Sequence, residues 1–247
     1  MIIILIPIKK LFSLSLLFGI SIISGESGGF ELTILSKKFE TYTKMLLHWN
    51  NKFNLTAITE PSEIIKKHYL DSLSCVDLIP ENAVVADVGT GAGFPGVPVK
   101  IQRPDISLTL MDALGKRINF LKELCKALEI DVECVHIRAE DAAHSGEFRE
   151  RFDVVLSRAV ARLPILSEYC LPLIKPGGIM LALKGKDIET EISDSKGLIK
   201  KLGGAAISVI PYTIEGSDIT HSIVKINKEL PTPPSYPRRG KKIGKFL

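Results

Sequence analysis

The chain has 247 residues, of which 45% are hydrophobic and 24% charged, close to a globular average. This composition excludes a disordered or collagen-like chain and supplies ample apolar material for a sizeable core. Lys plus Arg exceeds Asp plus Glu by 4, too mild a surplus to identify a nucleic-acid binder, so its placement matters more than its size.

The N-terminus is aliphatic over Met1–Ile8, breaks at Lys9-Lys10, and continues as an apolar run, Leu11–Ile23, interrupted by Ser13, Ser15, Gly19 and Ser21. A basic pair ahead of such a run has the form of a secretory signal. It is short for a membrane span, and no A-x-A cleavage site follows. Three readings fit residues 1–29: a signal or anchor, a packed or interfacial extension, and a start codon set upstream of the true one. No stable membrane association is expected. Ser24–Gly29 reads as a flexible joint.

Residues 30–80 read as a small helical cap with no strand. Leu35, Phe39, Tyr42, Leu46, Trp49 and Phe53 recur at steps of four and three, which lines one helix face. Pro61 opens a second helix, continued by Ile64, Ile65, Tyr69 and Leu73. From residue 81 to 230 strands and helices alternate. Ala83–Val88, Ser107–Met111, Val132–Ile137, Phe152–Leu156 and Ile179–Leu183 read as strands, and Ile207–Ile210 and Ile223–Ile226 as strand-like. Lys116–Leu128, Ile165–Leu173 and Ile188–Leu202 read as helices. Lys175-Pro176-Gly177-Gly178 reads as a sharp turn. This rhythm predicts an α/β fold with a mostly parallel sheet and helices on both faces. Residues 231–247 form a proline-led segment whose last part, Tyr236–Leu247, has five basic residues and no acidic one. It reads as an extended basic arm.

Cys75, Cys125, Cys134 and Cys170 are widely spaced with no C-x-x-C pair. No metal site is expected, and the thiols read as buried groups in a reducing compartment.

The chemistry concentrates after the first strand, at Asp87-Val88-Gly89-Thr90-Gly91-Ala92-Gly93-Phe94-Pro95-Gly96. Glycines there let the backbone turn tightly and approach a ligand, at the sheet end where open α/β sheets bind ligands. Asp112 ends the second strand, where a carboxylate can accept from a ribose diol. A tight turn with a helix cap at Asp112 is the structural alternative. Gly91-x-Gly93-x-x-Gly96 also satisfies the dinucleotide pattern, which keeps an NAD-dependent oxidoreductase in view. Against it, Pro95 removes an amide where a pyrophosphate needs donors. Asp87 ahead of the loop suits a cationic, phosphate-free ligand such as S-adenosylmethionine (SAM).

The chain resembles the RsmG (GidB) family of small-subunit ribosomal RNA guanine-N7 methyltransferases from about residue 45 onward. The resemblance is carried by Trp49-Asn50, Asn54-Leu55-Thr56-Ala57-Ile58, His68-Tyr69-Leu70-Asp71-Ser72, the 87–96 loop, and Asp112 through Gly115-Lys116-Arg117. Arg138-Ala139-Glu140, Ser157-Arg158-Ala159, Ala182-Leu183-Lys184-Gly185 and Tyr236-Pro237-Arg238-Arg239 complete it. It implies a Rossmann-like class I SAM-dependent methyltransferase that is cytoplasmic, needs no metal, and methylates 16S rRNA or the small ribosomal subunit; the oligomeric state is left open, with a monomer expected. A SAM enzyme acting on another substrate is the alternative. The resemblance further implies that Gly89, Gly91, Phe94, Asp112, Ala139, Glu140 and Arg158 form the cofactor site. It places Lys116, Arg117 and Lys184 near the RNA, and the charge of the arm itself lets Arg238, Arg239, Lys241 and Lys242 neutralise phosphates. An arginine ending a buried strand needs an anion, and the methionine carboxylate of SAM or an RNA phosphate is the expected one for Arg158. His68 and Asp71, three apart, read as a structural polar pair. No catalytic base is assigned.

Overall fold

A computed structural model describes residues 22–24, 30–32, 37–186, 188–214, 218–238, 240 and 243. Most of the N-terminal apolar run, the joint at 25–29, Leu35, Arg239, Lys241 and Lys242 lie outside the described residues.

Seven of the described strands form one sheet: β1 (Val84–Val88), β2 (Ser107–Asp112), β3 (Glu133–His136), β4 (Phe152–Arg158), β5 (Ile174–Lys184), β6 (Gly204–Thr213) and β7 (Thr220–Lys228), in spatial order β3-β2-β1-β4-β5-β7-β6. The first five are parallel, and β7 runs antiparallel to β5 and β6. The chain leaves β1 for β2 on one side and returns to β4 on the other. The switch leaves a crevice at the carboxyl ends of these strands.

The central strands are apolar because both faces are covered. Val85, Leu108, Leu110 and Leu156 face one core layer, while Ala86, Val88, Met111 and Val155 face the other, as strand alternation requires. The helices are α1 (Lys37–Phe53), α2 (Gly96–Gln102), α3 (Gly115–Ala127), α4 (Ala139–His144), α5 (Leu163–Cys170) and α6 (Glu189–Lys201). α1 buries Phe39, Tyr42 and Leu46, the predicted stripe, and its Trp49 ring lies 5.6 Å from Phe120 of α3. Cys75, Cys125 and Cys170 are buried free thiols, and Cys134 is half-buried.

Several local expectations are corrected. Phe30–Leu32 pairs antiparallel with Ile22–Ser24, so the segment before α1 is not free of strand. Lys175–Gly178 is not a turn ahead of a strand but a bulge inside β5. The β4–β5 register steps from Phe152↔Ile174 to Val154↔Ile179. Gly178 is required there, since a Cβ would sit 2.6 Å from the Asp153 carbonyl oxygen. α2 and α4 were not predicted, because both are short and Pro98 sits inside α2. Residues 61–73 are helical in three pieces, with a π-helical turn, Ile65–Leu70, between Pro61–Ile64 and Asp71–Leu73.

Residues 231–238 are not a free arm. The Arg149 guanidinium donates to the carbonyls of Ala143 (2.7 Å), Tyr236 (2.9 Å), Thr232 (2.7 Å) and Pro233 (3.1 Å), strapping the segment to the body. Buried Lys228 donates to Leu171 and Leu202 carbonyls, and burial pushes its pKa down to about 8.

Candidate active site

The loop after β1 is held from both sides. Gly89 and Thr90 amides donate to the Met111 carbonyl of β2 at 2.9 and 3.1 Å. Gly89 has φ +70°, and a Cβ there would meet Val160 Cγ2 at 2.5 Å; Gly93 has φ +101°, and its Cβ would lie 2.7 Å from Tyr42 Oη. Both positions therefore need glycine for backbone angle and for space.

Asp87 sits fully buried behind the loop. Its Oδ2 accepts from Thr90 Oγ1 (2.7 Å) and the Gly96 amide (2.9 Å), while Oδ1 has no hydrogen-bond partner among the described residues. Burial pushes its pKa up to about 6. The Gly96 amide is thus occupied, the Val97 amide donates to Gly93, and Pro95 has none. The amides that a pyrophosphate would use are already taken, and a buried carboxylate lies behind them. This donor set fits a cationic, phosphate-free nucleoside such as SAM and does not fit a dinucleotide.

The crevice wall brings together Gly89, Asp112, Ala139 and Glu140, four of the predicted cofactor residues. Asp112 is 4% exposed. Its Oδ2 accepts from the Gly91 amide (3.0 Å) and its Oδ1 from the Leu114 amide (2.9 Å), with Arg117 Nη1 3.3 Å from Oδ2. Two amides fix the carboxylate's orientation and leave lone pairs for further donors. Gly91 turns beside it with φ +61°. Ile137, Val160 and Tyr169 also line the crevice and were missed. Val160 follows Ala159, whose φ of 56° is rare for a residue with a Cβ. No sequence pattern announces that kink.

Phe94 and Arg158 do not line the crevice; they form a layer behind the loop. Phe94 stacks on His68 (centroids 4.4 Å) and Tyr42 (5.3 Å), with the Arg158 guanidinium 4.9 Å from its ring. Arg158 does not wait for an external anion. Its Nη1 donates to Asp71 Oδ2 (2.7 Å) and to the Lys67 carbonyl (3.1 Å), and its Nη2 lies 3.2 Å from His68 Nδ1. Asp71 Oδ1 also accepts from Tyr212 Oη (2.7 Å) and lies 2.7 Å from His221 Nδ1. His68 and Asp71 thus meet through Arg158. His68 Nε2 is 2.8 Å from Thr56 Oγ1, and burial first, then the Arg158 charge, push its pKa down to about 4. Tyr212 and His221 were missed because they reach Asp71 from 141 and 150 residues away.

The residues assigned to RNA divide. Lys116 is exposed, its Nζ 5.7 Å over the Phe53 ring, and Arg117 sits at the rim on Asp112. Lys184 is turned inward: Nζ donates to the Ala161 carbonyl (2.9 Å) and pairs with Glu191 (2.8 Å), leaving the side chain 13% exposed. Arg238 is likewise committed, its guanidinium and amide engaging fully buried Glu168. A phosphate contact would have to displace Glu191 from Lys184 or buried Glu168 from Arg238, so both side chains are already committed.

Comparison with solved structures agrees with the fold. The O-methyltransferase from Bacillus cereus, in complex with SAH, aligns at TM-score 0.54 and 17% identity over 76% of this chain and 91% of that one. A transferase from Pyrococcus horikoshii aligns at TM-score 0.51 and 14% identity over 64% and 63%. The GidB family model, described as rRNA small subunit methyltransferase G, matches residues 35–216. Ribosomal RNA small subunit methyltransferase G of Clostridium perfringens is 46% identical over 212 residues, 85% of this chain and 89% of its own. That of Desulforamulus reducens is 48% identical over 208 residues, 81% and 85% of the two chains. With the crevice at the sheet's switch point and a family match over most of its length, this chain belongs to the GidB family of rRNA small subunit methyltransferases G.

Proposed function

We propose that this protein transfers the methyl group of SAM to N7 of a guanine in 16S rRNA of the small ribosomal subunit, in the cytoplasm. One observation carries the cofactor half of this reading. The amides of Gly96 and Val97 at the start of α2 are filled by Asp87 and Gly93, and the carboxylates of Asp112 and Glu140 line the crevice, which suits a phosphate-free nucleoside better than a pyrophosphate. Family membership supports rRNA as the acceptor.

When bound, SAM supplies an electrophilic methyl on a positively charged sulfur. Guanine N7 has a lone pair and no proton. An acceptor of this kind would need no proton removed, so the chain would need to supply no base. His68 fits this requirement. With its pKa near 4 it stays neutral at neutral pH, and both ring nitrogens are engaged. It positions Phe94 rather than moving a proton. What the chain contributes is alignment, worth on the order of 7–11 kcal/mol in well-oriented systems. The fixed loop, the oriented Asp112 and Val160 packed over Gly89 supply it.

The test is incubation with labelled SAM and small-subunit rRNA lacking the modification, followed by nucleoside analysis. Labelled 7-methylguanosine is expected. Asp112→Ala should weaken SAM binding by roughly tenfold or more, the range for a lost hydrogen bond to a charged group. Saturable NAD binding without SAM binding would overturn the reading.

A further inference from the structure

The positive charge of this chain is concentrated on two packed helices. α1 and α3 each carry four Lys/Arg and one Asp/Glu, a joint surplus of six where the whole chain has 4. The remainder is therefore net negative by two, even with its basic C-terminus. Lys37, Lys44 and Lys52 of α1 and Lys116, Lys122 and Lys126 of α3 are exposed. None is ion-paired with a carboxylate among the described residues. At 3.6 residues per turn, each trio falls within about a third of its helix circumference. The helices meet with Lys116 over Phe53 and Phe120 against Trp49, so the start of α3 packs beside the end of α1. α3 begins three residues after Asp112, which starts this face at the crevice rim.

Resting on the rRNA reading above, we infer that the α1–α3 face is the docking surface for the RNA backbone, and that it delivers the target guanine to the crevice. Lysines are mobile point charges suited to following phosphates, and structured RNA is gripped mainly by shape and backbone because its major groove is too narrow to read. A membrane surface does not fit α1, whose apolar stripe is buried in the core, so this helix has no apolar face left to enter lipid. α6 supplies the contrast. Lys196, Lys200 and Lys201 are also exposed there, but the same helix carries Glu189, Glu191 and Asp194.

The experiment compares two triple variants of the full chain, Lys44→Gln/Lys52→Gln/Lys122→Gln and Lys196→Gln/Lys200→Gln/Lys201→Gln. Each is assayed with in vitro transcribed small-subunit rRNA and with small subunits lacking the modification. The first triple should raise KM for RNA at least about tenfold and reduce the slope of log affinity against log salt by about 2–3, with SAM affinity unchanged. The second should leave both within twofold. Unchanged KM and slope in the first triple, or an equal effect in the second, would overturn the assignment. A wild-type protein that binds SAM but methylates no rRNA would instead defeat the functional reading on which it rests. Thermal melting of each variant checks that the fold is intact.

Discussion

Arg158 and Arg238 have side chains only 14% exposed, each against a carboxylate that is 3% or 0% exposed, yet they do different work. Arg158 ends β4 beside the crevice. Through Asp71 it links the segmented helix to Tyr212 of β6 and His221 of β7, and its flat face covers Phe94 behind the glycine loop. Arg238 lies past β7 and fastens the C-terminal segment to Glu168 of α5, its guanidinium 5.4 Å over the ring of its own neighbour Tyr236. The first pair organises the site; the second anchors the end of the chain.

Breaking either pair should produce the largest loss of stability. Removing one partner leaves a charge stranded in low dielectric, which costs about 3–5 kcal/mol. Asp71→Ala and Arg238→Ala should each show that loss in urea denaturation at neutral pH. A value under about 1 kcal/mol for either would show that water reaches the remaining charge.

Acid sharpens the comparison, because only the Arg158 network contains a histidine with a displaced pKa. Its folded pKa near 4 lies below the ordinary 6.5, so the folded state favours neutral His68. Its contribution is full above pH 6.5 and is lost as pH falls toward 4. Asp87, raised to about 6, has the opposite sign: its folded state favours the proton, and acidification stabilises through it. Wild type shows the difference of the two. His68→Gln deletes only the histidine part, so it should lose about 2 kcal/mol less than wild type between pH 7 and 5. Parallel losses would mean that His68 is hydrated in the folded state.

Both arginines also show how far a sequence can be read. For Arg158 the cost of burying a guanidinium at a strand end was visible but its partner was not, and for Arg238, read as part of an extended arm, neither the burial nor the partner was visible. Asp71 stands 87 residues from Arg158 and Glu168 stands 70 from Arg238, and no local pattern encodes such distances. An external ligand was therefore expected where the protein supplies its own anion. The parallel sheet and the α1 stripe were legible because their signals are periodic and local, and Asp112 at the crevice because it ends a strand at a fixed distance from the glycine loop. The π-helical turn, the β5 bulge and the kink at Ala159 were not, since each is imposed by packing and breaks periodicity. Val160 and Tyr169 reach the crevice only through such features.

Activity separates the two arginines at smaller energies. Lysine keeps the charge but loses the planar fork and the stacking face. Arg158→Lys should lower kcat/KM for methyl transfer by about tenfold, near 1.4 kcal/mol, through disturbance of Phe94 and the loop. Arg238→Lys, assayed at a temperature where it is folded, should stay within twofold of wild type. Equal losses would mean that the C-terminal strap also shapes the crevice.

The smallest effect belongs to an ion pair of the same residue types in a different dielectric. Arg162 Nη2 lies 3.1 Å from Asp194 Oδ2, with side chains 61% and 47% exposed. Water and salt screen this contact, and ordering two side chains offsets most of its attraction. Asp194→Ala should cost no more than about 0.5–1 kcal/mol at low salt, and a denaturation series in rising NaCl should erase that difference. The loss in Asp71→Ala should persist through the same series, because that pair is buried among further hydrogen-bond partners and salt does not reach it. Were both losses to fade together, the interior around Arg158 would have to be as wet as the surface, and the shelf it forms behind the glycine loop could not be rigid.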